Sequence, residues 1–208
     1  ATPRIRVADP VYNAQVICEQ AKEAAEHGAK IVVFPELCIT GYTCNDLFLQ
    51  ELLLEKAKEA LLTIAEETGQ LETLFLVGLP VDKDGRLYNV AAVLYRGRIL
   101  GMIPKKNIPM YAEFYEGRHF TPGEETVTEY RLGNQVIPFG SNLLFRCEEL
   151  PELILGCELC EDLWVAEPPS TSHALMGATV IANLSASNET VSKDDYRTLL
   201  IKASSARL

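Results

Sequence analysis

The apolar run Ile31-Val32-Val33-Phe34 follows within three residues of Gly28, a glycine that closes a helical pattern, and this junction constrains the chain more than any other feature. A strand with no polar alternation has no face to give to water, so helices or a second sheet must cover it on both sides. The helix before it opens at Asp9-Pro10, an N-cap followed by proline in the first turn. Val16, Ile17, Ala21, Ala24 and Ala25 then share one apolar face, and Gly28 stands where a helix end favours a left-handed residue. The alternation recurs. A second helical pattern runs from about Leu47 to Thr68 and stops at Gly69, and Leu74–Val81 reads as the next strand. Asp84-Gly85 turns the chain into a hairpin-like pair, Val90–Tyr95 and Ile99–Ile103, separated by Arg96-Gly97-Arg98. Leu153–Gly156 and Ala178–Leu184 are further strands, with a short helical stretch around Ser170–Met176 between them. A last amphipathic helix starts near Lys193 and is still running at Leu208, which reads as a chain cut in mid-helix. The pattern predicts an α/β architecture with helices covering sheets.

No Pro/Gly/Ser linker and no repeat divides the 208 residues, so they read as one domain, 1–208, long enough to bury a substantial core. A formal net charge of −10 offers no basic stripe for phosphates and argues against a nucleic-acid surface. No stretch approaches the ~18–20 consecutive apolar residues of a membrane span. The start, Ala1-Thr2-Pro3-Arg4, lacks the shape of a signal peptide. Six cysteines without secretory context read as reduced thiols and a cytoplasmic location.

Three places end an apolar strand directly in a reactive side chain: Phe34-Pro35-Glu36, Ile103-Pro104-Lys105, and Leu155-Gly156-Cys157-Glu158-Leu159-Cys160. Sheet ends in α/β proteins hold side chains accessible and fixed, which is what a site needs. A carboxylate, an ammonium and a thiol so placed make a base, an electrostatic stabiliser and a nucleophile. Taken singly, each has an ordinary alternative: a solvated loop glutamate, a surface lysine beside Lys106, a buried inert cysteine. Cys157 and Cys160 also form a Cys-x-x-Cys. A redox pair belongs at a helix N-terminus, whereas Cys157 lies in a strand run. Zinc needs about four ligands, and Cys38 and Cys44 supply no second tight pair, so no metal is expected. His27, His119 and His173 read as surface or core residues.

The surrounding words are more specific. Phe34-Pro35-Glu36-Leu37 with Thr40-Gly41-Tyr42, Pro104-Lys105-Lys106-Asn107-Ile108-Pro109, Glu116 with Phe120 and Gly123, and Cys160-Glu161-Asp162-Leu163-Trp164 resemble the motifs of the nitrilase, or carbon–nitrogen hydrolase, superfamily. Tyr111-Ala112-Glu113-Phe114-Tyr115-Glu116, Pro168-Pro169-Ser170, Gly177-Ala178-Thr179, Ala182-Asn183-Leu184-Ser185-Ala186-Ser187 and Ala203-Ser204-Ser205-Ala206-Arg207 are similar to one branch, the N-terminal glutaminase domains of glutamine-dependent NAD synthetases.

That resemblance implies a four-layer α-β-β-α sandwich, here truncated at both ends. It implies Glu36 as general base, Cys160 as nucleophile and Lys105 as the cation that holds the oxyanion together with the backbone N–H of Glu161. Glu116 would orient Lys105 or Glu36. Tyr111, Ser187 and Lys193 would bind glutamine. Lys193 falls where the family has arginine, which grips a carboxylate with two parallel bonds where lysine makes a point contact. The synthetase half is outside these residues, which contain no Ser-Gly-Gly-x-Asp-Ser-type pyrophosphate loop. ATP and magnesium would belong to that C-terminal domain, and no cofactor to this chain. A homo-oligomer is the family expectation. Two other readings stay open: an amidase or carbamoylase for another small amide, and an inactive assembly module.

Overall fold

The computed structural model describes residues 1–208. Four helices, α1 (Pro10–Glu26), α2 (Glu51–Glu67), α3 (Pro169–Leu175) and α4 (Lys193–Arg207), accompany nine strands. The strands are β1 (Ile31–Val33), β2 (Leu74–Lys83), β3 (Arg86–Tyr95), β4 (Arg98–Pro104), β5 (Thr128–Leu132), β6 (Gln135–Phe139), β7 (Leu144–Arg146), β8 (Ile154–Leu159) and β9 (Val180–Leu184). Six of them form one sheet in the order β1-β2-β3-β4-β6-β5, and β7-β8-β9 form a second.

Strand alternation builds the layers. In the large sheet Val77, Leu79, Val90, Ala92 and Met102 face Ile17 and Ala21 of α1 and Ala57, Leu61 and Ile64 of α2. Their neighbours in sequence, Leu76, Ala91, Val93 and Ile103, point the other way and meet Leu155, Cys157, Leu159, Ala182 and Leu184 of the small sheet. Each buried Val, Leu, Ile or Met side chain among them contributes roughly 1.5–3 kcal/mol by leaving water. On the outer face of β8, a Cβ at Gly156 would lie 2.9 Å from His173 Nδ1. The Ser170 N–H donates to Glu158 Oε2 at 3.0 Å on that same face. So α3 covers the small sheet from outside, and the layers run α-β-β-α. The remaining helix, α4, buries none of its side chains.

Several elements differ from the sequence reading. The pattern beginning at Leu47 is two pieces: a 3₁₀ turn, Asn45–Leu49, then α2, with Gln50 extended between them. Phe48 explains the break, because it is anchored with Leu37, Cys44, Leu53 and Phe120 in a small core of its own. On α1 the buried stripe is Asn13, Ala14, Ile17, Cys18 and Ala21, while Val16, Ala24 and Ala25 are only half buried. Asn13 turns that face inward as a polar anchor, exchanging two 2.7 Å bonds with the Arg6 backbone and donating to Ile39 O at 2.9 Å. β8 runs on to Leu159, and β5, β6 and β7 had no sequence counterpart. The turn at Arg96-Gly97 has both residues at positive φ, 47° and 75°, the conformation a tight two-residue hairpin demands.

Gly78 sets how closely the Glu36 turn approaches the sheet. A Cβ there would stand 2.4 Å from Leu37 N, 2.6 Å from Pro35 O and 2.8 Å from the Glu36 carbonyl carbon. All three are backbone atoms and cannot swing aside. Gly78→Ala should therefore destabilise the fold by roughly 1–3 kcal/mol, read as a drop of several degrees in Tm, and should lower any activity that uses Glu36. An unchanged melting curve would mean that the turn yields freely.

Candidate active site

β1 delivers Glu36 to the sheet end two residues after Phe34, and β4 delivers Lys105 beside it. Lys105 is fully buried, with Nζ 2.7 Å from Glu36 Oε1 and 2.7 Å from Glu116 Oε1. Its backbone is clamped as well: its N–H donates to Asn89 O, and its carbonyl accepts from the Gly123 N–H, both at 2.8 Å. Lys106 points outward and pairs with Glu125 at the surface. Glu116 opens a 3₁₀ turn, Glu116–Arg118, and also accepts from the Tyr42 hydroxyl at 2.7 Å. The Asn89 side-chain amide donates to Glu36 Oε1 at 2.7 Å and to Glu116 Oε2 at 3.4 Å.

Burial works against the Lys105 charge, but Glu36 and Glu116 outweigh it and hold its pKa above the ordinary lysine range. Burial, with Glu36 close by, pushes the Glu116 carboxyl up, in part against Lys105. A cleft of about 110 Å³, bordered by Tyr42, Phe48, Tyr115 and Phe120, reaches Glu116 from the surface.

Cys160 begins a 3₁₀ turn, Cys160–Leu163, directly after β8, and its φ of 41° is left-handed. Such a conformation in a non-glycine residue costs on the order of 1–3 kcal/mol and persists only where its surroundings enforce it. Asp162 enforces it. Its carboxylate accepts from Leu159 N at 3.0 Å and from Asn107 N and Nδ2 at 2.8 Å each, stitching the cysteine turn to the loop after Lys105. The Ser185 hydroxyl donates to Cys160 Sγ at 3.3 Å, and the Ala186 N–H donates to Glu36 Oε2 at 3.0 Å. Cys160 makes no hydrogen bond to Glu36 or Lys105; the Ser185-Ala186 corner bridges the thiol and the carboxylate. Burial first, then the Glu36 charge, pushes the thiol up to about 12 against the opposing pull of Lys105. The resting group is a neutral thiol.

The other four sequence-derived residues lie around the mouth of this turn. Tyr111 is exposed, and its hydroxyl donates to Glu161 Oε2 at 2.9 Å. Burial and the Glu161 charge raise the phenol to about 12. Ser187 donates its backbone N–H to Ser185 Oγ at 3.2 Å. Lys193 bonds to Asn188 Oδ1, and its Nζ lies 5.5 Å from the Phe114 ring centroid and 5.1 Å from that of Trp164. It has no carboxylate partner, so its charge is held by ring faces.

Cys157 lies on the inter-sheet face of β8, where burial drives its thiol well above the usual range. His173 is buried with Nε2 2.9 Å from Ser141 O, His119 meets Asp46 at 3.0 Å, and His27 is exposed at the end of α1. Sequence reasoning gave no role to Asn89, Tyr42, Asp162, Ser185 or Ala186. For Asn89 a signal existed: a polar side chain opening the otherwise apolar run Val90-Ala91-Ala92-Val93-Leu94.

The family model described as carbon-nitrogen hydrolase matches residues 1–208. The chain belongs to the carbon–nitrogen hydrolase family. The glutamine-dependent NAD(+) synthetase of Mycobacterium tuberculosis (strain ATCC 25618 / H37Rv) is 41% identical to it over 206 residues, which is 99% of this chain and 30% of that protein. The crystal structure of a glutamine-dependent NAD(+) synthetase from Cytophaga hutchinsonii superposes with a TM-score of 0.86 at 29% identity, covering 98% of this chain and 32% of that one. An amidase from Nesterenkonia sp. shares the fold, with a TM-score of 0.71 at 21% identity over 98% of this chain and 69% of its own. This carbon–nitrogen hydrolase chain thus spans about 30% of the length of the curated synthetases it matches.

The two charges facing Cys160 have opposite effects on its thiol, which gives a test of sign. Glu36 raises the thiol pKa, so Glu36→Gln removes the raising charge and leaves Lys105 to lower it. The thiolate fraction near neutrality should increase. The pH midpoint for alkylation of Cys160 by iodoacetamide should move down by about a unit or more in Glu36→Gln, while amide hydrolysis is lost. A midpoint that stays put or moves up would show that Glu36 does not act on the thiol electrostatically.

Proposed function

We propose that residues 1–208 act as one glutaminase domain of a glutamine-dependent NAD synthetase. It releases ammonia from glutamine through a thioester on Cys160. The ammonia serves a C-terminal synthetase domain that amidates nicotinic acid adenine dinucleotide with ATP and magnesium. The carrying observation is Lys105 Nζ at 2.7 Å from both Glu36 and Glu116 beside the Cys160 turn. The 41% identity to a synthetase along nearly the whole chain supports the choice of branch.

The chemistry follows from the resting charges. Cys160 is a neutral thiol, so its proton must leave as its sulfur attacks the amide carbon, and Glu36 is the carboxylate within reach through the Ser185-Ala186 corner. The oxyanion that forms is held by Lys105 Nζ and the Glu161 N–H, and each such donor is typically worth ~10²–10³ in rate. Glu36 returns the proton to the leaving nitrogen, ammonia departs and the thioester remains. Water, deprotonated by Glu36, then attacks the thioester carbonyl, glutamate leaves and the proton returns to sulfur. Glu116 keeps Lys105 against Glu36 throughout.

Glutamine carries two further charges that an aliphatic amide lacks. Lys193, without a carboxylate partner, suits the α-carboxylate, with Ser187 as a hydroxyl donor. The Glu161 carboxylate, held by Tyr111, suits the α-ammonium. The second reading, hydrolysis of another small amide, draws support from Lys193 itself, since a point charge grips a carboxylate less firmly than a guanidinium.

In the full-length protein, Cys160→Ala should abolish glutamine-dependent synthesis and leave synthesis from supplied ammonia intact; equal glutamine-dependent rates in the two proteins would sink the nucleophile assignment. Lys193→Ala should raise the KM for glutamine about tenfold or more with a smaller change in kcat. Parent turnover of butyramide should be far slower than of glutamine. Similar turnover of the two amides, or an unchanged KM, would favour the second reading.

A further inference from the structure

Asn89 stands in β3, is 1% exposed, and is the one residue that bonds to Glu36, Glu116 and Lys105 alike. Its side-chain Nδ2 serves the two carboxylates, and its backbone carbonyl receives the Lys105 N–H. At the opposite end of the same amide, no protein group donates to the buried Oδ1. A buried acceptor without a donor is a cost that a leucine of similar shape would avoid. The sheet around it is apolar, with Val90 and Ala91 following directly. Nothing in the packing calls for an amide there. What calls for it is the pair of carboxylates.

We propose that Asn89 is the positioning residue of the Glu36 base, its neutral N–H₂ fixing which carboxylate oxygen turns toward the thiol. The inference rests on the reading of Glu36 as the base for Cys160. Lys105 and Asn89 both spend their bonds on Oε1, each at 2.7 Å, and so leave Oε2 to the Ala186 N–H and the cysteine side. With Asn89 gone, Lys105 alone holds Oε1, and the carboxylate is free to rotate and offer both oxygens to the ammonium. Oε2 then withdraws from the corner that carries Ser185 and Cys160. Glu116 Oε2 loses its donor in the same step.

Neutrality of the donor matters as much as its place. Two carboxylates and one ammonium leave a net negative charge, and that surplus keeps a base available. A lysine at position 89 would cancel it and tie Glu36 into a second ion pair. An aspartate would be a third acid in the cluster. Crowded by burial and by two carboxylates, which together outweigh the opposing pull of the Lys105 ammonium on the same Glu36 oxygen, it would keep its proton in the acid range, donate O–H to Glu36 there, and become a repelling charge as pH rises.

The two near-isosteric variants therefore separate a positioning role from a packing role. Measured in the full-length protein, Asn89→Leu should lower kcat for glutamine by about 10- to 100-fold, with KM changed by less than about threefold. The Asn89→Asp rate, divided by the parent rate, should be highest near about pH 6 and fall at least about tenfold by about pH 9. The same ratio for Asn89→Leu should be flat. A Leu variant within about twofold of the parent, or two variants with parallel flat ratios, would overturn the proposal. Should Asn89→Leu fail to give a cooperative thermal transition, the slope of the Asp ratio decides alone. Should the parent not hydrolyse glutamine, the glutaminase reading fails separately. The pH dependence of Cys160 alkylation by iodoacetamide, compared across the same variants, then tests Asn89 without that substrate.

Discussion

One ammonium between two carboxylates, all three out of water, is the interaction on which this molecule is built. Lys105 Nζ is 2.7 Å from an oxygen of Glu36 and 2.7 Å from one of Glu116, and each residue comes from a different stretch of chain. Removing one partner of a buried ion pair typically costs about 3–5 kcal/mol, because the charges left behind are stranded. The arrangement therefore holds together the end of β1, the end of β4 and the 3₁₀ turn at Glu116. Two of its members, Glu36 and Lys105, also act on the Cys160 thiol in opposite directions, on top of burial. A fold that kept its sheets but lost this triplet would leave no buried charge cluster beside Cys160.

Around that triplet the scaffold works by close approach. Gly78 lets the Pro35-Glu36-Leu37 backbone lie flat on β2. Asp162 carries both the left-handed cysteine turn and the loop following Lys105 on one side chain. The alternation of β8 decides which sulfur does what: Cys157 points into the core between the sheets, and the turn beyond Leu159 presents Cys160 to the site. Two cysteines three residues apart thus occupy different chemical worlds.

The order of helices and buried strands was legible because glycines and apolar runs mark it sharply: Gly28 before Ile31, Asp84-Gly85 before β3, Arg96-Gly97 before β4. The strands that escaped notice lie where apolar runs are short: β5 carries Glu129 and Arg131, β6 is interrupted by Pro138, and β7 is three residues ending in Arg146. The motif words brought Glu36, Lys105, Glu116 and Cys160 to notice, because each reactive residue sits in a distinctive local phrase. Asn89, Tyr42 and Ser185 contribute through contacts 25 to 74 residues away in sequence. No local pattern encodes such distances. Asn13 escaped for a related reason: a buried asparagine looks like a solvent residue until its three partners are in place.

The thiol of Cys160, pushed to about 12 by burial and by Glu36, has a consequence for how long the protein survives while idle. Peroxide and adventitious electrophiles consume thiolates, and the oxidation ladder from sulfenic to sulfonic acid begins only from that form. A cysteine held at that value exposes almost no thiolate near neutrality. Low reactivity at rest thus follows from burial and the Glu36 charge, and a cysteine of this kind oxidises more slowly than one kept permanently ionised.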